Sequence, residues 1–442
     1  MSGSSWWVAK YKDVNLSMAT LNRRTLVAGA AAAGMAAAAL GGTRHVSAAR
    51  QDGKTELNLF HIWGTPPGGT PAATASPMTQ VVDAFNAQSD TVVVNQFTPG
   101  GYNETLQKAQ ADMAAGNPPD IVTTPWAFLN YAVDGLGVNE LETVVGDKFA
   151  DLKALISDTA WPLVTKNDKI YGLPWGLSTP IIYYNADIFA EAGVEPATAF
   201  ATWENFAAEA PKLQKVLDGN PVLALSYNKD WAAQTIIQSN GGRVLNDDGT
   251  FGITSPEATE AMQMVADLDK AGFYDRGVSA ELRPSFVAGS TAVLQSSVAS
   301  LSGLRRDCAF NLATTTWPRF GEKPVVASTG GSFLGVYTFD EAKYPAIMEF
   351  FMFCAGEVGY PIWNQTGYVN ISNQDLDRLE GQDPAYAQFD QGLILETNWP
   401  SSRGLEAGTT WGTYCERIWA NDIGVEDGLK EALSEIEAIV AE

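Results

Sequence analysis

Leu57-Asn58-Leu59-Phe60-His61-Ile62-Trp63 opens the stretch that decides the fold, with apolar and polar residues largely alternating as they do along a strand. Pro77–Gln88 follows with Val81, Val82 and Phe85 at helical spacing, and Thr91–Phe97 is β-branched and alternating. Asn103–Ala115 then sets Leu106, Ala109 and Met113 on one helical face. Gly116-Asn117-Pro118-Pro119 stops that helix, and Asp120–Thr124 is a short β-branched strand. Strand, helix, strand, helix, strand at this spacing predicts a parallel sheet with right-handed crossovers, hence an α/β lobe.

The alternation continues downstream. Ile181–Tyr184 reads as a strand, Trp203–Val216 as a helix, and Ser255–Ala271 as an amphipathic helix capped by Ser255-Pro256-Glu257. Thr291–Gln295 and Val325–Ala327 read as short strands and Tyr344–Phe353 as a helix. Asp427–Val440 closes the chain as a helix with Leu429, Leu433, Ile436 and Val440 in register. Asn246-Asp247-Asp248-Gly249 lacks the ligand spacing of a calcium loop and reads as a hairpin turn.

Residues 1–50 read as an export address. Asn22-Arg23-Arg24-Thr25-Leu26 precedes an Ala/Gly-rich apolar run from Val27 to Gly42, and Val46-Ser47-Ala48 offers small residues for cleavage. The paired Arg23-Arg24 points to the twin-arginine route. The run is too weakly apolar and too short for a membrane span, which takes about 20 residues. Met18 is an alternative start. No cysteine follows the run to carry a lipid anchor, so a soluble mature protein is expected at the periplasmic or extracellular face of the cytoplasmic membrane.

Lys and Arg total 28 against 51 Asp and Glu, for a formal charge of -23. Such a surface repels nucleic acid and anionic lipid, and neither is expected as a partner. Cys308, Cys354 and Cys415 are too few for a disulfide scaffold, and a single bridge among them is left open. Past the export signal His61 stands alone, which argues against a His-dependent nucleophile or a multi-His metal site. Beside Trp63 it reads as a structural residue. No G-x-S-x-G, H-E-x-x-H or G-x-x-x-x-G-K-[ST] pattern occurs, and no cofactor or metal is expected. Paired carboxylates leave one enzymatic alternative, a secreted glycoside hydrolase.

Five stretches in shared order then carry a resemblance. Met113–Val122 (M-A-A-G-N-P-P-D-I-V), Ile170–Pro174 (I-Y-G-L-P), Ser178–Asp187 (S-T-P-I-I-Y-Y-N-A-D), Phe286–Leu294 (F-V-A-G-S-T-A-V-L) and Gln365–Val369 (Q-T-G-Y-V) resemble family-1 extracellular solute-binding proteins of ABC importers. The resemblance implies no enzyme but a receptor with a small carbohydrate-class ligand and membrane permease subunits as partners, acting as a monomer. It implies a two-lobed α/β fold of the periplasmic-binding-protein type II, each lobe a mixed sheet flanked by helices, with the ligand cleft at a hinge crossed about three times. The expected lobes are 51–157 with 312–356, and 158–311 with 357–442.

Gly330-Gly331-Ser332, Gln365–Val369 and Ser401-Ser402-Arg403-Gly404 further resemble the glycerol-3-phosphate/glycerophosphodiester-binding branch. The pocket positions of that branch fall here on Tyr102, Ser178, Ser296 or Ser297, Gly331, Tyr368 and Arg403. Where the branch places a glutamate this chain reads Pro125-Trp126. From the residues themselves, the Arg403 fork suits a phosphate or the vicinal hydroxyls of a sugar. Trp63, Trp126, Trp231 and Trp363 are candidate faces for a pyranose or a choline cation.

Overall fold

A computed structural model describes residues 53–64, 75–225, 229–277, 279–390, 394–395 and 397–441; the expected export signal lies outside them. Lys54–Glu442 forms one compact unit. Within it, β1 (Thr55–Phe60), α1 (Pro77–Gln88), β2 (Val92–Phe97), α2 (Tyr102–Ala114) and β3 (Ile121–Pro125) follow the expected alternation. β1 pairs in parallel with both β2 and β3, which makes it the centre of the parallel part of the sheet. Ser76 caps α1 by accepting from the Thr79 amide, and Met78, Val81, Val82 and Phe85 turn inward.

β4 (Leu173–Ser178) ends one residue before β5 (Pro180–Asn185), and that single residue, Thr179, carries the chain from the first sheet to a second. α3 (Trp203–Val216), β6 (Leu223–Leu225), α4 (Lys229–Ser239), α5 (Pro256–Lys270), β7 (Val293–Ser297) and β8 (Leu312–Thr315) build the second lobe. Its four strands run in the order β8-β5-β7-β6. The chain returns through β9 (Ser328–Val336), which is antiparallel to β3 on one side and to β4 on the other. α6 (Tyr344–Ala355) and β10 (Ile394–Leu395) complete the first lobe. A last crossing leads to α7 (Gly404–Trp419) and α8 (Val425–Ala441). These pack on each other, and α7 also packs on α4 and α5.

The partnerships of two strands differ from the expected lobe boundaries. Leu312–Thr315, expected in the first lobe, pairs with β5 in the second sheet, whereas Leu173–Ser178, expected in the second, pairs with β9 in the first. Val325–Ala327 is not a strand; pairing begins at Ser328, where the chain reaches the edge it shares with β10. Asn246–Gly249 turns a hairpin bridged at Leu245 and Phe251. His61 is fully buried, and burial lowers its pKa to about 4. It is therefore a neutral ring, accepting from the Trp63 amide at Nδ1 (3.1 Å) and bonded through Nε2 to Gln96 Oε1 (3.0 Å). All three cysteines are free thiols.

Candidate solute-binding cleft

A cavity of about 730 Å³ lies between the lobes, within the size range of small-molecule sites. The first lobe contributes the opening turn of α2 (Tyr102, Asn103, Glu104), Phe128 after β3, Ser178 at the end of β4, the Gly330-Gly331 pair of β9, and Tyr368. The second contributes Lys229 and Trp231 from α4, Ser297 from β7, and Thr409, Gly412, Thr413 and Glu416 from α7. The four α7 positions recur at three- and four-residue intervals, so one face of that helix forms the wall. At the rim the walls touch: Asn103 Nδ2 of α2 donates to Thr409 Oγ1 of α7 at 3.3 Å.

Tyr368 is held by a stack of indoles. Its ring lies on Trp363 at 5.1 Å between centroids, and Trp363 lies on Trp175 at 4.7 Å while donating from Nε1 to the Trp175 carbonyl at 2.9 Å. Trp63 meets Trp363 edge-on at 4.7 Å and donates to the Tyr368 hydroxyl at 3.4 Å. Such offset and edge-on packing fixes the outermost ring with little freedom left to lose when a ligand lands on it. On the opposite lobe, Trp231 is 5% exposed and donates from Nε1 to the Ser328 carbonyl at 3.2 Å. That bond ties α4 to β9.

Six of the expected site residues, Tyr102, Ser178, Trp231, Ser297, Gly331 and Tyr368, come together on this cavity. The other four lie off it. Trp63 buttresses Tyr368 from behind, as above. Trp126 is buried with its Nε1 donating to the Gly330 carbonyl at 3.1 Å and its ring stacked on Phe333, so it supports β9 from the core. Ser296 alternates with Ser297 along β7 and therefore faces the other way, where its Oγ lies 3.1 Å from that of Ser300. Arg403 precedes α7 and sits outside the cavity. Its Nε and Nη2 form a fork onto the two carboxylate oxygens of Glu406, at 2.8 and 2.7 Å. Trp363, the remaining stacking candidate, is fully buried beneath Tyr368.

The sequence reading missed Asn103, Glu104, Phe128, Lys229, Thr409, Thr413 and Glu416. Lys229-Asp230-Trp231 was the available signal, two charges beside an indole, but every residue of α4 is buried and the helix shows no polar face to reveal it. α7 was hidden by Gly404, Gly408 and Gly412, which read as helix breakers. The first two are there for packing: a Cβ would stand 2.7 Å from the Trp399 carbonyl oxygen at Gly404 and 2.8 Å from Trp399 Nε1 at Gly408.

Two buried charges mark the second-lobe wall. Burial brings the Lys229 ammonium down to about 8, with Glu416 opposing the shift. Burial raises Asp230 to about 7; its carboxyl accepts from Gln234 Nε2 at 2.7 Å and Trp399 Nε1 at 3.2 Å. Among the described residues no group of His, Cys, Asp and Glu side chains is arranged to hold a metal ion. Among the described residues, the cavity offers aromatic faces from both lobes, hydroxyls, one ammonium and two carboxylates. That inventory is suited to gripping a small polar molecule by closure of two lobes around it.

Comparison with known proteins agrees with this architecture. The sn-glycerol-3-phosphate-binding periplasmic protein UgpB of Pectobacterium atrosepticum is 24% identical over 393 residues, spanning 81% of this chain and 87% of that protein. Among solved structures, an ABC substrate-binding protein of Listeria monocytogenes in complex with cycloalternan superposes with a TM-score of 0.74 at 21% identity, over 87% of this chain and 98% of that one. UgpB from Mycobacterium tuberculosis in complex with glycerophosphocholine gives 0.72 at 20% identity, over 83% and 95%. These likenesses show the two-lobed periplasmic-binding fold. The family model for bacterial extracellular solute-binding proteins matches residues 80–387, a span that takes in the whole second sheet, four strands of the first and most of the cavity wall, and the chain belongs to that family.

Proposed function

We propose that this protein is the receptor of an ABC importer and that it captures a neutral, polyhydroxylated carbohydrate by lobe closure, releasing it chemically unchanged to the permease. The observation that carries the ligand class is the placement of charge. Arg403, the cation that would grip a phosphate, is spent on Glu406 outside the cavity. Among the described lining residues, Glu104 and Glu416 outnumber Lys229. A phosphate monoester would meet this excess of negative charge within a protein of net charge -23. A neutral sugar meets acceptors for its hydroxyls, with Tyr102, Trp231 and Tyr368 for its apolar faces. The relatives, named for glycerol 3-phosphate or carrying glycerophosphocholine or cycloalternan, span both ligand classes, and the charge pattern supports the neutral one.

A thermal-shift screen of the signal-free protein tests this with maltose, trehalose, xylobiose and cycloalternan against glycerol 3-phosphate and glycerophosphocholine. A ligand at a hundred times its Kd adds about 2.7 kcal/mol of stability. The expected result is a shift with at least one sugar and none with glycerol 3-phosphate. A shift confined to the glycerol phosphates overturns the neutral-sugar reading. Arg403→Ala is expected to change the Kd of the bound sugar by less than about threefold in calorimetry, since an exposed ion pair contributes little. A loss on the order of a hundredfold, the size expected for a bidentate phosphate contact, would place Arg403 on the ligand.

A further inference from the structure

Lys229 is a buried cation whose surroundings leave it incompletely satisfied. Only 3% exposed, it lines the cavity beside Trp231 and Ser297. Its ammonium donates to the Leu225 carbonyl at 2.7 Å and to the Tyr274 hydroxyl at 3.1 Å, and lies 5.5 Å from the centre of the Tyr274 ring. Both acceptors are neutral. Among the described residues, no carboxylate comes within ion-pair distance of it. A lysine has three N–H donors, and the described residues engage two. Burying an ammonium without a counter-charge is unfavourable, and an apolar residue of similar volume would serve folding better. Glu416 reaches the same cavity from α7 and is the largest of the carboxylate influences that favour the charged lysine.

We infer that Lys229 is a ligand-contacting, specificity-determining residue: its remaining N–H donates to one oxygen of a vicinal diol on the bound sugar, while Glu416 accepts from the neighbouring hydroxyl. This rests on the carbohydrate reading above and adds to it the chemical feature that is read. A diol satisfies both groups at once, the ammonium needing an acceptor and the carboxylate a donor. A phosphate satisfies only the first and repels the second.

The test compares wild type with Lys229→Met, using the sugar of largest thermal shift among maltose, trehalose, xylobiose and cycloalternan. Lys229→Met is expected to keep or raise the melting temperature of the ligand-free protein while weakening binding about tenfold to a hundredfold, the span of one charge-assisted hydrogen bond. A lysine retained for folding alone would do the opposite. The pH profile of the wild type provides a second, independent reading. Below about pH 8 Lys229 is charged; above it the proton is lost and affinity should fall, levelling off at the loss seen in Lys229→Met. The groups around it are Tyr274, Asp275, Glu416, Cys415 and, on its own helix, Asp230. Tyr274 and Cys415 are held high by burial, and Asp230 titrates near 7, so a fall above pH 8 that is present in wild type and absent in Lys229→Met belongs to Lys229. Unchanged affinity in Lys229→Met, or a flat wild-type profile through pH 9, overturns the inference and leaves the carbohydrate reading intact. If the wild type itself binds none of the four sugars, the carbohydrate reading falls and this inference with it.

Discussion

Gly331→Ala is expected to destabilise the protein by about 3 kcal/mol or more and to disrupt the cavity it lines. Gly331 has φ of 126°, outside the range that side chains accept, and backbone strain of this kind costs about 1–3 kcal/mol. The larger obstacle is space. A Cβ there would stand 1.9 Å from the Gly176 carbonyl oxygen and 2.6 Å from Trp126 Nε1. The first is backbone of the paired strand β4 and cannot swing aside, so β9 must separate from β4 at the register Gly331–Leu177. That pairing also sets Ser178 on the cavity, so the damage reaches the site as well as the fold. Urea unfolding of the signal-free protein measures it through the midpoint at unchanged slope. A midpoint equal to wild type would mean that β9 and β4 do not approach as described.

Trp231→Ala is expected to weaken sugar binding by about a hundredfold or more. Trp231 forms the aromatic face of the second-lobe wall, and truncating a buried aromatic anchor at the centre of a site typically costs 2 kcal/mol or more. Its bond to the Ser328 carbonyl also ties α4 to β9, so the alanine variant loosens the two lobes relative to each other as well as removing the stacking surface. Trp231→Phe separates the effects. It keeps a flat apolar face and loses the N–H, and should bind within about tenfold of wild type. Calorimetry on both variants reads this directly. Equal losses in the two would assign the role to the hydrogen bond, and no loss in either would remove Trp231 from the ligand's path.

The sequence disclosed the fold where local chemistry carries it. The strands and helices from Thr55 to Pro125 were legible because each is bounded by its own cap or breaker and shows one face to the core. The lobe boundaries near 158 and 312 were not, because strand partnership is decided by long-range pairing: nothing local marks Leu173–Ser178 as a partner of β9 or Leu312–Thr315 as a partner of β5. For the site, the resemblance pointed to Tyr102, Ser178, Ser296 or Ser297, Gly331 and Tyr368; of these, Tyr102 opens a helix and Ser178 and Ser297 end strands, positions that the fold itself fixes. Arg403 illustrates the limit. Its S-S-R-G setting left open whether the guanidinium meets the ligand or an ion-pair partner, and Glu406, three residues on and one helical turn away, takes it. Lys229 and Glu416 lay in helices whose periodicity was masked, one by complete burial and one by glycines packed against Trp399.

Titration calorimetry of the signal-free protein with the sugar of largest thermal shift, followed by chromatography of the recovered solute, tests the central claim most directly. A receptor that captures one carbohydrate between two lobes should give saturable binding at one site per chain, with the sugar returned unaltered after prolonged incubation. Cleaved sugar in the recovered fraction, or no heat with any sugar alongside saturable binding of glycerol 3-phosphate, would contradict it.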